Sequence, residues 1–319
     1  MTLLIGTRGS ALAMAQTGEI ADAITAATGV ATELVPVTTH GDVSRESLAS
    51  LGGTGVFASA LREFLLRGEC DLVVHSMKDL PTVAYAGLRI GAVPERADAR
   101  DVLCARDGLT LATLPDGARV GTGSPRRAAQ LAAQRPDLRI VDIRGNVGTR
   151  LGFVTDGELD AVVLAAAGLG RLGRLDAVTE YFDLGTWPTA PAQGALAIEV
   201  RTAAFDDRDG NVAVLDALDA IEHLETRATA TAERAVLNRL EAGCAAPIGA
   251  HAVITAGGIR LTAAVYAPDG SGSLTLTGEA DFATSAGHEI MGTAETVGSA
   301  LADDLLAQGA AHLAPLRQS

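Results

Sequence analysis

The chain has 319 residues, 48% of them hydrophobic, and a formal net charge of −14. That is apolar material for two or three cored domains, while the acidic balance excludes general nucleic-acid binding, which needs a basic face. "MTLLIGTRGS" has no basic region leading into an apolar one, and no apolar run is long enough to span a bilayer, so a cytoplasmic, membrane-independent protein is expected.

Taken in chain order, strand-like runs are "LLIGT" (3–7), "TELVPVTT" (32–39), "DLVVHS" (71–76), "LRIGAVP" (88–94), "ARVGTG" (118–123), "LRIVDIR" (138–144), "LDAVVLAAAG" (159–168) and "ALAIEV" (195–200). Helical stretches at 10–28, 57–68, 124–135 and 147–157 lie between them. Continuous apolar strands alternating with helices specify α/β architecture with mostly parallel, two-sided sheets. The pattern occurs twice, interrupted at "PERADARD" (94–101) and near "TAPAQG" (189–194). After about residue 215 the texture changes. A helical stretch (216–242) ends at Gly243, placed as a C′ glycine, and alternating strands turn at "PDGSG" before a last helix over 285–308. The expected division is a first α/β lobe (1–94 and 195–213), a second (99–190) and a C-terminal α+β domain with an antiparallel sheet (215–319).

Polar residues collect at strand ends, where open parallel sheets bind ligands. "LLIGT" leads to Arg8 and Ser10, and "DLVVHS" to Lys78 and Asp79. "ARVGTG" leads to Ser124, Arg126 and Arg127, "LRIVDI" to Arg144 and Asn146, with Arg150 beyond, and "AVVLAAAGLG" to Arg171. In "GTGSPRRAAQL", Ser124 is a natural N-cap and Pro125 a natural first helical residue. Two arginines then occupy the first turn, where the macrodipole disfavours cations. An anion bound by the amides and the guanidinium groups resolves the conflict; a pair of solvated surface arginines is an equal alternative. Six arginines at equivalent strand ends suggest a local cradle for a polyanion, and a polycarboxylate suits them as well as a phosphate.

No dinucleotide loop, P-loop, HExxH, CxxC or histidine cluster is present, so no metal is expected. The cysteines, Cys70, Cys104 and Cys244, are far apart and odd in number, which excludes a disulfide framework. Cys70 and Cys104 border apolar runs and read as small buried hydrophobes. Cys244 instead sits in the small-residue stretch "RLEAGCAAPIGAH". Of 25 Lys plus Arg residues, Lys78 is the one lysine.

"TRGSALA" (7–13), "GD" (41–42), "HSMKDLP" (75–81), "GTGSPRRAAQL" (121–131), "RGNVGTRL" (144–151), "AGLGRLG" (167–173), "AQGALAIE" (192–199) and "TAERAVLNRLEAGCAAPIGA" (231–250) together resemble the porphobilinogen deaminase family, in order across nearly the whole chain. The resemblance implies two lobes like type II periplasmic binding proteins and a third domain carrying Cys244. It implies that Cys244 holds a dipyrromethane cofactor through a thioether. Four porphobilinogen units would be added to that primer with loss of ammonia, and linear hydroxymethylbilane released. Each unit carries an acetate and a propionate, so strand-end arginines are suitable partners. By the resemblance, Lys78, Ser124, Arg126 and Arg127 hold the cofactor's acidic groups. Arg8, Ser10, Arg144, Arg150 and Arg171 hold incoming and growing rings, supported by Gln16, Asn146 and Gln193. Asp79 is the catalytic carboxylate that also meets the cofactor; from the residues alone, a turn cap before Pro81 explains it as well. A monomer is the family expectation.

Some positions depart from the family pattern. Thr54 and Ser50 stand where lysines are common, Ser59-Ala60 where Lys-Glu is frequent, Gly123 where serine is usual and Ala192 where glycine is usual. The alternative from another class is a non-catalytic bilobal protein that binds polycarboxylates, which has no use for Cys244 or Asp79.

Overall fold

The computed structural model describes residues 2–37, 56–240, 246–282, 287–314 and 316. Cys244, Gly243, Thr54 and Ser50 therefore lie outside the described residues. The strands are β1 (Thr2–Arg8), β2 (Ala31–Val37), β3 (Leu72–Ser76), β4 (Leu88–Ala92), β5 (Asp101–Ala105), β6 (Arg119–Thr122), β7 (Arg139–Asp142), β8 (Ala161–Ala165), β9 (Glu180–Tyr181), β10 (Leu196–Arg201), β11 (Ile248–Ile254), β12 (Gly258–Tyr266) and β13 (Ser273–Asp281). The helices are α1 (Ala11–Thr28), α2 (Val56–Leu66), α3 (Pro125–Gln134), α4 (Val147–Thr155), α5 (Ala166–Arg171), α6 (Ala203–Asp206), α7 (Val212–Ile221), α8 (Leu224–Arg239), α9 (Gly287–Ala307) and α10 (Ala310–Leu313).

The chain divides into two compact units, residues 1–97 with 195–227, and 98–194 with 228–319. The first holds a five-stranded sheet of order β2-β1-β3-β10-β4. β1 runs parallel to β2 and β3, and β10 runs antiparallel to β3 and β4. One face buries Ile20, Ile24, Leu215 and Leu218 from α1 and α7, and the other buries Leu61 and Leu65 from α2. Cover on both faces is why these strands are apolar without alternation.

The second unit holds a sheet of order β7-β6-β8-β5-β9 and the antiparallel sheet β11-β12-β13. β6 runs parallel to β7 and β8, and β5 antiparallel to β8 and β9. Trp187 stacks on Phe182 with ring centroids 4.3 Å apart, in a core with Leu103, Val120 and Leu131. The antiparallel sheet buries Leu261, Ala263 and Val265 against Val236 of α8 and Leu301 and Leu305 of α9. The expected class, two mixed α/β sheets followed by an antiparallel α+β region, is what the strands form.

Three element boundaries differ from the sequence reading. The 159–168 run is a strand only to Ala165, after which alanines, the best helix formers, begin α5. The 216–242 stretch is broken: Glu222 is extended, its Oε2 accepts the Val93 N–H at 2.8 Å, and His223 Nδ1 accepts the Thr226 N–H at 3.2 Å to start α8. Finally, β5 begins at Asp101, inside what reads as an interruption.

Candidate active site

In the first unit, β1 and β3 are parallel neighbours, so their carboxyl ends share one edge. Arg8 ends β1, half-buried, and Ser10 caps α1 by accepting the Ala13 N–H at 3.3 Å. Gln16, buried in the first turns of α1, donates from Nε2 to Ser76 Oγ at the end of β3, 3.0 Å away. A single turn of 3-10 helix follows β3 and carries Met77, Lys78 and Asp79. Met77 is buried and its N–H donates to Ala195 O at 3.0 Å, which fixes the turn to the start of β10. Lys78 is half-buried and Asp79 exposed. The structure thus brings Arg8, Ser10, Gln16, Lys78 and Asp79 to one sheet edge.

In the second unit, β6, β7 and β8 end at a common edge, carrying Ser124 with Arg126 and Arg127, Arg144 with Asn146 and Arg150, and Arg171. Ser124 caps α3, its side chain accepting the Arg127 N–H at 3.5 Å. Asn146 caps α4, its Oδ1 accepting the Thr149 N–H at 2.9 Å. Gly145 precedes it with φ 111°, and a Cβ there would meet Thr149 at 2.9 Å, so only glycine fits. Arg150 Nε donates to Gly145 O at 2.8 Å, Arg144 Nη2 lies 3.4 Å from Asp142 Oδ2, and Arg171 Nη2 donates to Gly194 O at 3.0 Å.

The first-turn arginines of α3 are buried, which corrects the solvated alternative, and they already share one anion from within the protein. Their counter-ion is Asp101, with no solvent exposure. Arg126 Nη2 reaches Asp101 Oδ2 at 2.7 Å, and Arg127 Nη2 and Nε reach Oδ1 at 2.6 and 3.0 Å. Trp187 Nε1 and Gln193 Nε2 add donors at 2.9 and 2.8 Å. Because β5 is antiparallel to β8, with Asp101 paired to Ala165, it starts where the parallel strands end. Burial works to raise the Asp101 pKa, but the Arg126 and Arg127 charges and the donated hydrogen bonds overcome it and hold the carboxyl well below the usual range. The sequence reading missed Asp101, Gln130 and Trp187; a charged residue opening the apolar run "DVLCA" was the available signal for the first.

The edge remains positively charged. Burial lowers the Arg150 pKa, and repulsion from Arg127 and Arg144 lowers it further, while Asp142 opposes this. Such an arrangement gains from added carboxylates. Gln193, buried, sits in a turn where Ala192 has φ 62° and donates its N–H to the buried carboxylate of Glu233 at 2.6 Å. That left-handed backbone accounts for glycine being usual there. At Gly123, a Cβ would meet Ile143 O at 2.6 Å, so β6 and β7 end closer together than a serine permits.

Among the described residues there is no cluster of metal-ligating side chains, and no described helix is long and apolar enough to cross a membrane. Cys70 and Cys104 are buried, as expected of small hydrophobes.

Comparison with known proteins is decisive about family. Residues 3–208 match the family model "Porphobilinogen deaminase, dipyromethane cofactor binding domain", and residues 227–307 match "Porphobilinogen deaminase, C-terminal domain". A porphobilinogen deaminase of Leifsonia xyli subsp. xyli is 62% identical over 99% of this chain and 95% of its own. One of Thermobifida fusca is 54% identical over 96% and 93%, and porphobilinogen deaminase 1 of Streptomyces coelicolor 51% over 98% and 97%. Among solved structures, the methionine-binding protein MetQ matches with TM-score 0.44 and 11% identity over 69% of this chain and 91% of its own, too distant to bear on function. With both family models matched in order and relatives more than half identical along its length, the chain belongs to the porphobilinogen deaminase family.

Proposed function

We propose that the protein is a transferase that condenses four porphobilinogen molecules, with loss of ammonia, onto a covalent dipyrromethane primer and releases linear hydroxymethylbilane. The observation that carries this reading is the guanidinium-rich edge of the second unit, where Arg126, Arg127, Arg144, Arg150 and Arg171 outnumber the carboxylates of Asp101 and Asp142. The donor set fits the cofactor, whose side chains are acetates and propionates and match guanidinium forks. When bound through Cys244, the dipyrromethane supplies the α-carbon to which the first unit is joined.

Lys78, Ser124, Arg126 and Arg127 are assigned to the cofactor's acidic groups, the two buried arginines sharing their donors with Asp101. Arg8, Ser10, Arg144, Arg150 and Arg171 are assigned to the substrate and growing chain, with Gln16, Asn146 and Gln193 holding the edges on which they sit. Asp79 is assigned to stabilise positive charge as it develops on pyrrole nitrogen when ammonia leaves. The division into segments 1–94 with 195–213, 99–190 and 215–319, a monomeric state and a cytoplasmic location belong to the same proposal. A polycarboxylate-binding protein without catalysis is not favoured, because the "MKD" and "GC" motifs have no part in it.

The intact mass of the purified protein tests this reading beside Cys244→Ser. An excess of two linked pyrrole units, absent from the variant, is expected; an unmodified mass that porphobilinogen does not change would overturn it. Asp79→Ala is expected to fold and load but turn over about a hundredfold or more slowly. Turnover near wild type would remove Asp79 from its role.

A further inference from the structure

A chain of hydrogen bonds leads from the sequence just after the cysteine to Arg126. Pro247, three residues beyond Cys244, accepts the backbone N–H of Tyr266 at 3.0 Å. Tyr266 closes β12, and its buried hydroxyl accepts Gln130 Nε2 at 3.1 Å. Gln130 Nε2 also lies 3.1 Å from Pro188 O, and Gln130 Oε1 accepts Arg126 Nη1 at 2.5 Å. Arg126 Nη1 donates to Pro188 O as well, at 3.1 Å, and its Nη2 ends the chain on Asp101. Around this line Ala129 of α3 packs on Ala264 and Tyr266. At Gly270, in the β12–β13 turn, a Cβ would meet Ala132 at 2.6 Å, so the turn rests directly on α3.

The amide of Gln130 has one orientation that satisfies these partners. Its carbonyl must face the guanidinium, which only donates, and its NH2 must face the phenol oxygen and Pro188 O. A residue that merely filled space between α3 and β12 would need neither end. We infer that Gln130, oriented by Tyr266, is a positioning residue that registers Arg126, and through it the Asp101 cluster, against the segment carrying the cofactor's attachment point. This rests on the reading of Cys244 as that point.

Register matters most when the primer is first attached. A C–S bond then forms at the aminomethyl carbon of porphobilinogen, the C–N bond breaks, and the thiol proton leaves with the nitrogen as ammonia. The thiol must reach that carbon while the guanidinium groups grip the same molecule's carboxylates. Once the thioether exists, the covalent bond itself holds the cofactor in place. Loss of register therefore slows loading more than turnover.

The test uses apoprotein made in cells unable to form porphobilinogen, with porphobilinogen added and mass gain followed over time. Wild type, Tyr266→Phe, Gln130→Met and the double variant are compared, and Tyr266→Phe removes one oxygen while keeping the packed ring. Expected are melting temperatures within a few degrees of wild type, and loading slowed roughly three- to tenfold in each single variant. The double variant is expected to be no slower than the worse single, because the two side chains act through one contact. In each case loading slows at least roughly threefold more than kcat of the loaded fraction does. Wild-type loading rates in both single variants would overturn the inference, as would equal losses in loading, kcat and melting temperature, which mark a purely structural role. A wild-type apoprotein that gains no mass overturns the Cys244 reading itself, and the inference with it.

Discussion

Two guanidinium groups, an indole and an amide converge on the two oxygens of Asp101, and this convergence keeps a carboxylate ionised with no solvent around it. Asp101→Asn leaves buried positive charge without compensation, and removing one partner of a buried ion pair costs about 3–5 kcal/mol. Urea unfolding followed by the fluorescence of Trp187, the single tryptophan, is expected to show that loss; a wild-type midpoint would mean the pair is dispensable. Cys70 and Cys104 make the opposite case. Burial pushes both thiols up to about 12, so neither forms thiolate at neutral pH. Native protein is expected to leave both unalkylated by iodoacetamide, with peptide mapping as the readout, and labelling of either without denaturant would contradict the packing. These two cysteines were legible from apolar neighbours in the sequence. Asp101 was not, because its partners lie 25 and 26 residues ahead and its importance depends on the direction of its strand.

Among elements, α2, β3 and β10 are tied by one buried carboxylate. Glu199 on β10 takes Arg62 of α2 in a fork, Nη2 to Oε1 at 2.7 Å and Nε to Oε2 at 2.9 Å, and His75 Nε2 of β3 lies 3.1 Å from Oε2. Burial opposes ionisation, but His75 and Arg62 outweigh it and bring the Glu199 pKa from 4.5 down to about 2. A depressed folded-state pKa contributes stability that is complete above the unfolded value and is lost as pH falls through the folded one. The contribution, on the order of 3 kcal/mol, should therefore disappear between pH 4.5 and about 2. Urea midpoints measured across that range are expected to fall less steeply in Glu199→Gln than in wild type; identical slopes would show that the fork does not titrate with folding. The turn bearing Lys78 and Asp79 follows directly on β3, so this tie also sets where they stand. The helix periods and most strands were evident from apolar spacing. The break at Glu222 was not, since a hydrogen bond from Val93, 129 residues away, creates it.

At the scale of the whole molecule, the second unit joins the 99–190 region to the antiparallel sheet through a backbone seam. Ala250 N–H donates to Thr189 O at 2.8 Å, Glu233 accepts the N–H groups of both Ala192 and Ala252, and a Cβ on Gly249 would meet Pro188 O at 2.6 Å. Gly249→Ala overcrowds the seam at a cost of about 1–3 kcal/mol. The unfolding transition of Trp187, on the other side of it, is expected to shift with that substitution; a Trp187 transition that stays in place would mean the antiparallel sheet unfolds on its own. By itself the sequence determined the class of fold, two rounds of α/β followed by alternating strands, because a periodic pattern is local and survives without coordinates. It also determined the family and the strand-end residues, since the motifs are contiguous in the chain. Only the tertiary structure decided that Asp101 pairs with both Arg126 and Arg127, and that Tyr266 meets Gln130 across 136 residues. Those partnerships follow from antiparallel pairing and helix-on-sheet packing, which place distant residues together and leave no mark on the spacing of either partner.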